Sequence, residues 1–305
     1  MKPPVIFLVG PTASGKTEIA LNLAKKLNAE IISCDSMQVY KRMDILTSKP
    51  SVHWLKKIKH HLLSIKSPKN EFNVSEYRNL ALKKIKSIYR KGKIPLFVGG
   101  TGFYMGILLD GIFPEADRGE KIREKLYKEA EKFGGGKLYE RLSKVDPKAT
   151  LKIHPNDLRR VVRALEVFEK TGKPISHWQK QRQGILEDYD VRVFCIKRSR
   201  AALIKRINAR VNSMCREGAL GEVKNLLKQI LSRTASLAIG IREIKGYLNG
   251  EYDLDEAKRQ MQHNTRLYAK RQMTWFKKDK RIEWIKAAEN DSPAKITGII
   301  WRKLS

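Results

Sequence analysis

The sequence predicts an α/β fold, a parallel sheet flanked by helices, with a helical insertion domain and a helical carboxyl-terminal part. Three observations carry this reading. Short apolar runs alternate with amphipathic stretches over roughly the first hundred residues. Glycines or an aspartate follow those runs, at the strand ends where parallel sheets bind ligands. Between about Pro114 and about Asp190 the strand-like runs give way to charged helices.

Val5–Val9 is an apolar run ending in glycine, and Ile19, Ala20, Leu23 and Leu27 then recur at helical spacing. Glu30–Cys34 reads as a second strand, ending at Asp35. Val74, Tyr77, Ala81, Ile85 and Ile88 mark one face of a long helix, and Ile94–Val98 is a third strand closed by Gly99-Gly100. The insertion is interrupted by Gly134-Gly135-Gly136 and by Pro147, Pro155 and Pro174. Val191–Ile196 returns as a strand, after which the chain reads as helical nearly to its end. Leu203, Ile207, Val211 and Met214 form one stripe there, and Leu254, Met261, Leu267, Tyr268 and Trp275 another. The division expected is a first part of the core over residues 1–113, an insertion over 114–190, and a return to the core with terminal helices over 191–305.

With 41% hydrophobic and 31% charged residues, the 305-residue chain reads as globular and long enough to bury a substantial core. No run approaches a bilayer-spanning helix, and five consecutive apolar residues near the amino terminus are too few for a secretion signal, so a cytoplasmic location is expected. Sixty-three Lys+Arg against 32 Asp+Glu leave a formal charge of +31, which suits a polyanionic partner, although scattered lysines also arise from genome composition or heat adaptation. Cys34, Cys195 and Cys215 lack metal or redox spacing and read as small buried hydrophobes.

Gly10-Pro11-Thr12-Ala13-Ser14-Gly15-Lys16-Thr17 fits the phosphate-loop pattern G-x-x-x-x-G-K-[ST], directly after a strand and before a helix. The core is therefore expected to be P-loop NTPase-like. In such a loop successive N–H groups and the helix amino terminus converge on a diphosphate. Lys16 would reach the phosphate oxygens and the Thr17 hydroxyl would hold Mg²⁺. What the diphosphate is attached to stays open at this point. The strand Ile94–Val98 ends in Gly-Gly-Thr, where a nucleotide hydrolase would place a magnesium-binding aspartate. Asp35, after the second strand, is placed to accept a substrate proton near the loop or simply to cap a turn.

These motifs occur together. GPTASGKT at 10–17, DSMQVY at 35–40, His60-His61, GGTGFY at 99–104, IHPND-x-RR-x-x-RALEV at 153–167 and NTR-x-YAKRQ-x-TWF at 264–276 stand in this order. Over residues from about 5 to about 285 the chain resembles the tRNA dimethylallyltransferases. The resemblance implies that Gly10 through Thr17 hold dimethylallyl diphosphate rather than a nucleotide. It implies transfer of the dimethylallyl group to N6 of adenosine 37, in the anticodon loop of tRNAs reading codons that begin with U, with release of diphosphate. It makes Asp35 the general base, places Thr101 in the reaction channel, and sets Ser36, Met37 and Gln38 against the target nucleotide. Arg210 becomes a further cation for the leaving diphosphate. Arg159, Arg160, Val161, Val162 and Arg163 are set against the tRNA, and Arg123 by a short match.

A carboxylate base suits an exocyclic adenine amine, whose delocalised lone pair makes it a poor nucleophile. The stacked base would be extruded into a channel to meet the donor. Asn156 reads as a helix cap. Arg259, His263, Arg266 and Lys270 share one side of the late helix, as an outer electrostatic footprint. Departures from the resembled pattern are Arg42, Leu46, Ser64 and Ile241, the last bearing on RNA contacts near residue 240. The competing readings are an ATP-dependent small-molecule kinase using the same loop, a basic RNA-binding module, and transfer to free adenine nucleotides. A monomer is expected from a single large RNA partner.

Overall fold

The computed structural model describes residues 2–113 and 119–304. It divides into two compact units: a core unit, Met1–Gly106 with Leu186–Ser305, and an insertion unit, Ile107–Ile185. These boundaries precede those expected at 113/114 and 190/191. The reason lies in the ends of the insertion unit, which pair with each other. Ile112 bridges to Gln183, and the Ile185 amide donates to the Leu108 carbonyl at 3.0 Å.

The core unit is built on six parallel strands, β1 (Pro4–Val9), β2 (Ala29–Ser33), β3 (His60–His61), β4 (Ile94–Gly99), β5 (Asp190–Lys197) and β6 (Ile282–Lys286), in the order β3-β2-β4-β1-β5-β6. β3 and β6 correct the sequence reading. Two residues are too few for a period of 2 to show, and Ile-Glu-Trp-Ile-Lys lies in a charged tail where a short apolar run does not declare itself. The central strand β1 is covered on both faces, so Val5 through Val9 are at most 1% exposed and read as one apolar run.

In chain order the helices are α1 (Lys16–Leu27), α2 (Val52–Lys57), α3 (Val74–Tyr89), α4 (Gly102–Asp110), α5 (Glu120–Phe133), α6 (Gly135–Val145), α7 (Pro147–Thr150), α8 (Leu158–Thr171), α9 (Ile175–Trp178), α10 (Arg200–Arg216), α11 (Ala219–Leu226), α12 (Ile241–Leu248), α13 (Leu254–Phe276) and α14 (Pro293–Leu304). Helix α1 buries Ile19, Ala20 and Leu23 against the sheet, and the left-handed Asn28 (φ 50) ends it by donating to the Ala24 and Lys25 carbonyls.

Register gathers the site. Val9 lies opposite Gly99 on one side and Cys195 on the other, and Ser33 lies opposite Val98. The loops after β1, β2, β4 and β5 therefore leave one edge of the sheet together. Gly99 is required there, because a Cβ on it would lie 2.0 Å from the Cys34 carbonyl oxygen, which itself accepts the Thr101 amide at 3.1 Å. Cys34 and Cys195 are buried free thiols, both pushed up to about 12 by burial.

The insertion unit packs α5, α6 and α8 around Leu126, Leu138, Leu142, Val161 and Leu165. At its centre Glu166 is fully buried and receives the Gly119 amide at 2.7 Å and Arg123 Nη2 at 2.6 Å, with Arg163 Nη1 at 3.1 Å. Helix α8 is capped by Asp157, whose carboxylate accepts the Arg160 amide at 3.2 Å, so the cap is Asp157 and not Asn156. Val161 and Val162 are 0% and 1% exposed; their side chains belong to this core, which corrects their assignment to an RNA-facing surface. Their place follows from helical period: the same turns that expose Arg159 and Arg160 turn the two valines inward.

Candidate active site

The loop between β1 and α1 turns through left-handed Ala13 (φ 62) and Gly15 (φ 92), which brings its backbone round to the amino terminus of α1. Lys16 folds back over it, donating to the Gly10 carbonyl at 2.9 Å and the Pro11 carbonyl at 2.7 Å. Burial, and then the neighbouring Arg210 guanidinium, pull the Lys16 amine down to about 8, against Asp35 and Cys195, which raise it. Two arginines brace the loop from behind: Arg198 Nε donates to the Ser14 carbonyl at 2.9 Å and Arg206 Nε to the Ala13 carbonyl at 2.8 Å.

The Asp35 turn follows β2. Its Oδ1 accepts the Met37 amide at 2.9 Å and the Gln38 amide at 3.4 Å, which fixes the carboxylate in the turn while Oδ2 has no hydrogen bond among the described residues. Thr101 Oγ1 accepts the Ser36 amide at 3.0 Å. The Gln38 amide group is tied inside the chain, accepting from Ser33 Oγ at 3.0 Å and donating to the Thr47 carbonyl at 3.2 Å.

Lys16, Thr17, Asp35, Ser36, Met37, Gln38 and Arg210 share the wall of one cavity of about 450 Å³. Its apolar wall includes Ile31, Leu46, Val98, Val211, Met214 and Met261. Thr101 is half-buried next to the lining residue Gly100, and its hydroxyl accepts the Ser36 amide of the Asp35 turn. A second pocket of about 400 Å³ is lined by Ala13, Gly15 and Arg206 and again by Lys16, Thr17 and Arg210. The charged groups thus lie between two openings. Arg210 is half-buried against both pockets, and burial lowers its guanidinium while Asp35 and Glu217 pull it back up.

Known proteins are similar to this chain over nearly its whole length. The model described as IPP transferase matches residues 38–279. A tRNA dimethylallyltransferase of Halothermothrix orenii is 44% identical over 290 residues, covering 94% of this chain and 88% of its own. The chain belongs to the IPP transferase family. The full-length tRNA isopentenylpyrophosphate transferase of Bacillus halodurans is similar over 100% of this chain and 97% of its own, with a TM-score of 0.71 and 38% identity. A eukaryotic dimethylallyltransferase acting on tRNA, 31% identical, reaches a TM-score of 0.81 over 94% of this chain and 74% of its own.

In this IPP transferase two side chains sit on backbone that glycine adopts more readily. Arg42 and Ser64, where the resembled pattern favours other residues, hold left-handed φ values of 59 and 50. Ile241 is a core residue, 4% exposed, so no RNA contact resides in its side chain. In the insertion unit Arg159 and Arg160 are exposed, whereas Arg123 and Arg163 hold Glu166, which makes their first role structural. On α13, Arg259 pairs with Glu256 at 2.7 Å and Arg266 donates to Asn208 at 3.1 Å.

Sequence reasoning missed Arg198, Arg206, Tyr268 and Gln272 as site residues. For the last two a signal existed: they lie four apart, hence on one helix face, inside the quoted NTR-x-YAKRQ motif.

Proposed function

We propose that this chain transfers the dimethylallyl group of dimethylallyl diphosphate to N6 of adenosine 37 in the anticodon loop of tRNAs reading codons that begin with U. The products are N6-(dimethylallyl)adenosine and diphosphate. The observation that carries this reading is that Lys16, Arg210 and Asp35 share one cavity whose remaining wall is largely apolar. Beside a diphosphate cradle, such a wall suits a five-carbon tail.

In this reading the diphosphate lies on the loop Gly10 through Thr17, with the tail between Ile31, Val98 and Met214. The extruded adenine stands over the Asp35 turn, beside Ser36 and Met37. The N6–C bond forms as the C–O bond to diphosphate breaks, and the N6 proton passes to the Asp35 carboxylate. Charge then grows on the departing diphosphate, where Lys16, Arg210 and the loop amides stabilise it. Thr101 keeps the Asp35 turn at its station through Ser36.

The residues fit a magnesium ion held mainly by the diphosphate. Thr17 offers one hydroxyl beside the loop, and among the described residues no group of three or more His, Cys, Asp or Glu competes for a metal. Bound there, Mg²⁺ supplies charge neutralisation of the leaving diphosphate. Arg159 and Arg160 suit phosphates of the tRNA, as guanidinium groups do. Among the described residues no helix is long and apolar enough to cross a membrane. A cytoplasmic monomer matches a reaction on free tRNA.

The test is incubation with labelled dimethylallyl diphosphate, Mg²⁺ and unmodified tRNA, with ATP and AMP as controls. Label in the tRNA is expected. Consumption of ATP without label transfer, or label in AMP alone, defeats the reading.

A further inference from the structure

The structure assigns a positioning role to Gln272: its buried amide bolts the phosphate loop to the turn after β4 and so fixes the separation of the two reacting groups. This inference rests on the transfer reaction proposed above. Gln272 lies on α13 and is only 6% exposed. Its Oε1 accepts the Thr12 amide at 2.8 Å, and its Nε2 donates to the Gly100 carbonyl at 2.9 Å. Both halves of the amide are therefore used, one on each of two loops that carry different parts of the chemistry.

The geometry around this bridge leaves little slack. Gly100 has no room for a side chain, since a Cβ would lie 2.1 Å from Gln272 Nε2 and 3.3 Å from the Gly10 carbonyl oxygen. Gly102 is equally closed, with its Cβ position 2.3 Å from the Trp275 ring on the same helix. Thr12 precedes the lysine that meets the diphosphate, and Gly100 precedes Thr101, which holds the Asp35 turn through the Ser36 amide at 3.0 Å. One amide thus connects the donor's cradle to the acceptor's base. Tyr268, one turn earlier on α13, sits beside Thr101 and Gln272, where burial and then the Asp35 charge push its phenol up. Helix α13 is in this sense the common ruler against which both loops are set.

A buried amide that only filled space would tolerate an apolar isostere. One that sets the distance between reacting groups would not, because a misplacement of about 1 Å costs on the order of a hundredfold in rate. The experiment uses the full-length protein, its Gln272→Met variant, Gly100→Ala, and the double variant, with labelled donor and unmodified tRNA. Gly100→Ala displaces the Gln272 amide without removing it, and so gives a second route to the same lesion. Each single variant is expected to lose roughly 10- to 100-fold in kcat. KM for tRNA should change by less than kcat does, since both residues line the cavity for a single base, a small part of a tRNA's contact surface. The double variant should be no slower than the slower single one, because both break the same bridge.

Wild-type kcat in a folded Gln272→Met protein, losses that multiply in the double variant, or a fall in kcat matched by an equal rise in KM for tRNA each overturn the inference. Should the wild-type protein transfer no label, the transfer reading itself fails. Binding of inorganic pyrophosphate by titration calorimetry then judges the bridge separately. Affinity at least about tenfold weaker in Gln272→Met supports it, and equal affinity rejects it.

Discussion

The Ser36 amide donates to Thr101 Oγ1 at 3.0 Å, which ties the turn after β2 to the turn after β4. Thr101 therefore acts on Asp35 at one remove. Thr101→Val keeps the shape and removes the acceptor, and should lower kcat about tenfold or more through a loosened Asp35 turn. Thr101→Ser should restore most of it. A valine variant with full turnover would show that the turn holds itself.

Asp35→Ala is expected to leave tRNA affinity nearly unchanged and to reduce turnover roughly 10²–10⁴-fold, the usual share of a general base. Single-turnover rates with saturating donor, alongside tRNA binding, separate the two effects. Retained turnover removes Asp35 from the role.

Lys16 gives the reaction a basic limb. Burial first, and Arg210 second, hold its amine at about 8 in the free protein. Its charge is present below that pH and lost above it, so kcat/KM for the donor should decline as pH rises through about 8. In kcat the same limb should move upward, because bound diphosphate favours the charged amine. A profile of kcat/KM flat across this range contradicts the assignment.

Glu166→Gln preserves the shape of the insertion unit's centre and removes its charge. Burial alone raises this carboxyl, but hydrogen bonds from Arg123, the Gly119 amide and Arg163 outweigh it and hold the group below its ordinary range. A depressed folded-state pKa contributes stability at neutral pH that is lost as pH falls through the carboxylate range. The variant should therefore lose about 3 kcal/mol near pH 7, with a smaller deficit in acid. Hydrogen exchange in α5 and α8 reads the effect locally.

Arg159 and Arg160 are exposed on α8, and Arg160 pairs with Asp157 at 3.2 Å. Replacing both by alanine should weaken tRNA binding and reduce the slope of log K against log salt by roughly 1.5 to 2. Pyrophosphate affinity should not change. An unaltered salt slope would take these arginines off the RNA.

Much of this was legible in the residues. The phosphate loop, the strands Val5–Val9, Glu30–Cys34 and Ile94–Val98, and the helical insertion all announce themselves through short-range period and glycine placement. Asp35 was visible as a carboxylate at a strand's end. Less visible was what depends on depth. Arg123 and Arg163 look like surface cations until Glu166 is seen between them, and Val161 and Val162 sit in a motif whose outer face is basic. The strand β6 was missed because its partner, β5, lies some ninety residues earlier and nothing local demands the pairing.

The sequence by itself determined the chemistry's vocabulary: a diphosphate cradle, a base, and a family pattern running from the first strand to α13. Only the tertiary structure decided their grammar. It put Gln272 between Thr12 and Gly100, tied Thr101 to the Asp35 turn, and opened the charged groups to two pockets. The reason is one of range. Helical and strand periods are local properties of neighbouring residues, whereas an amide bridging positions 260 and 172 residues away exists only once the sheet has brought their loops to a common edge.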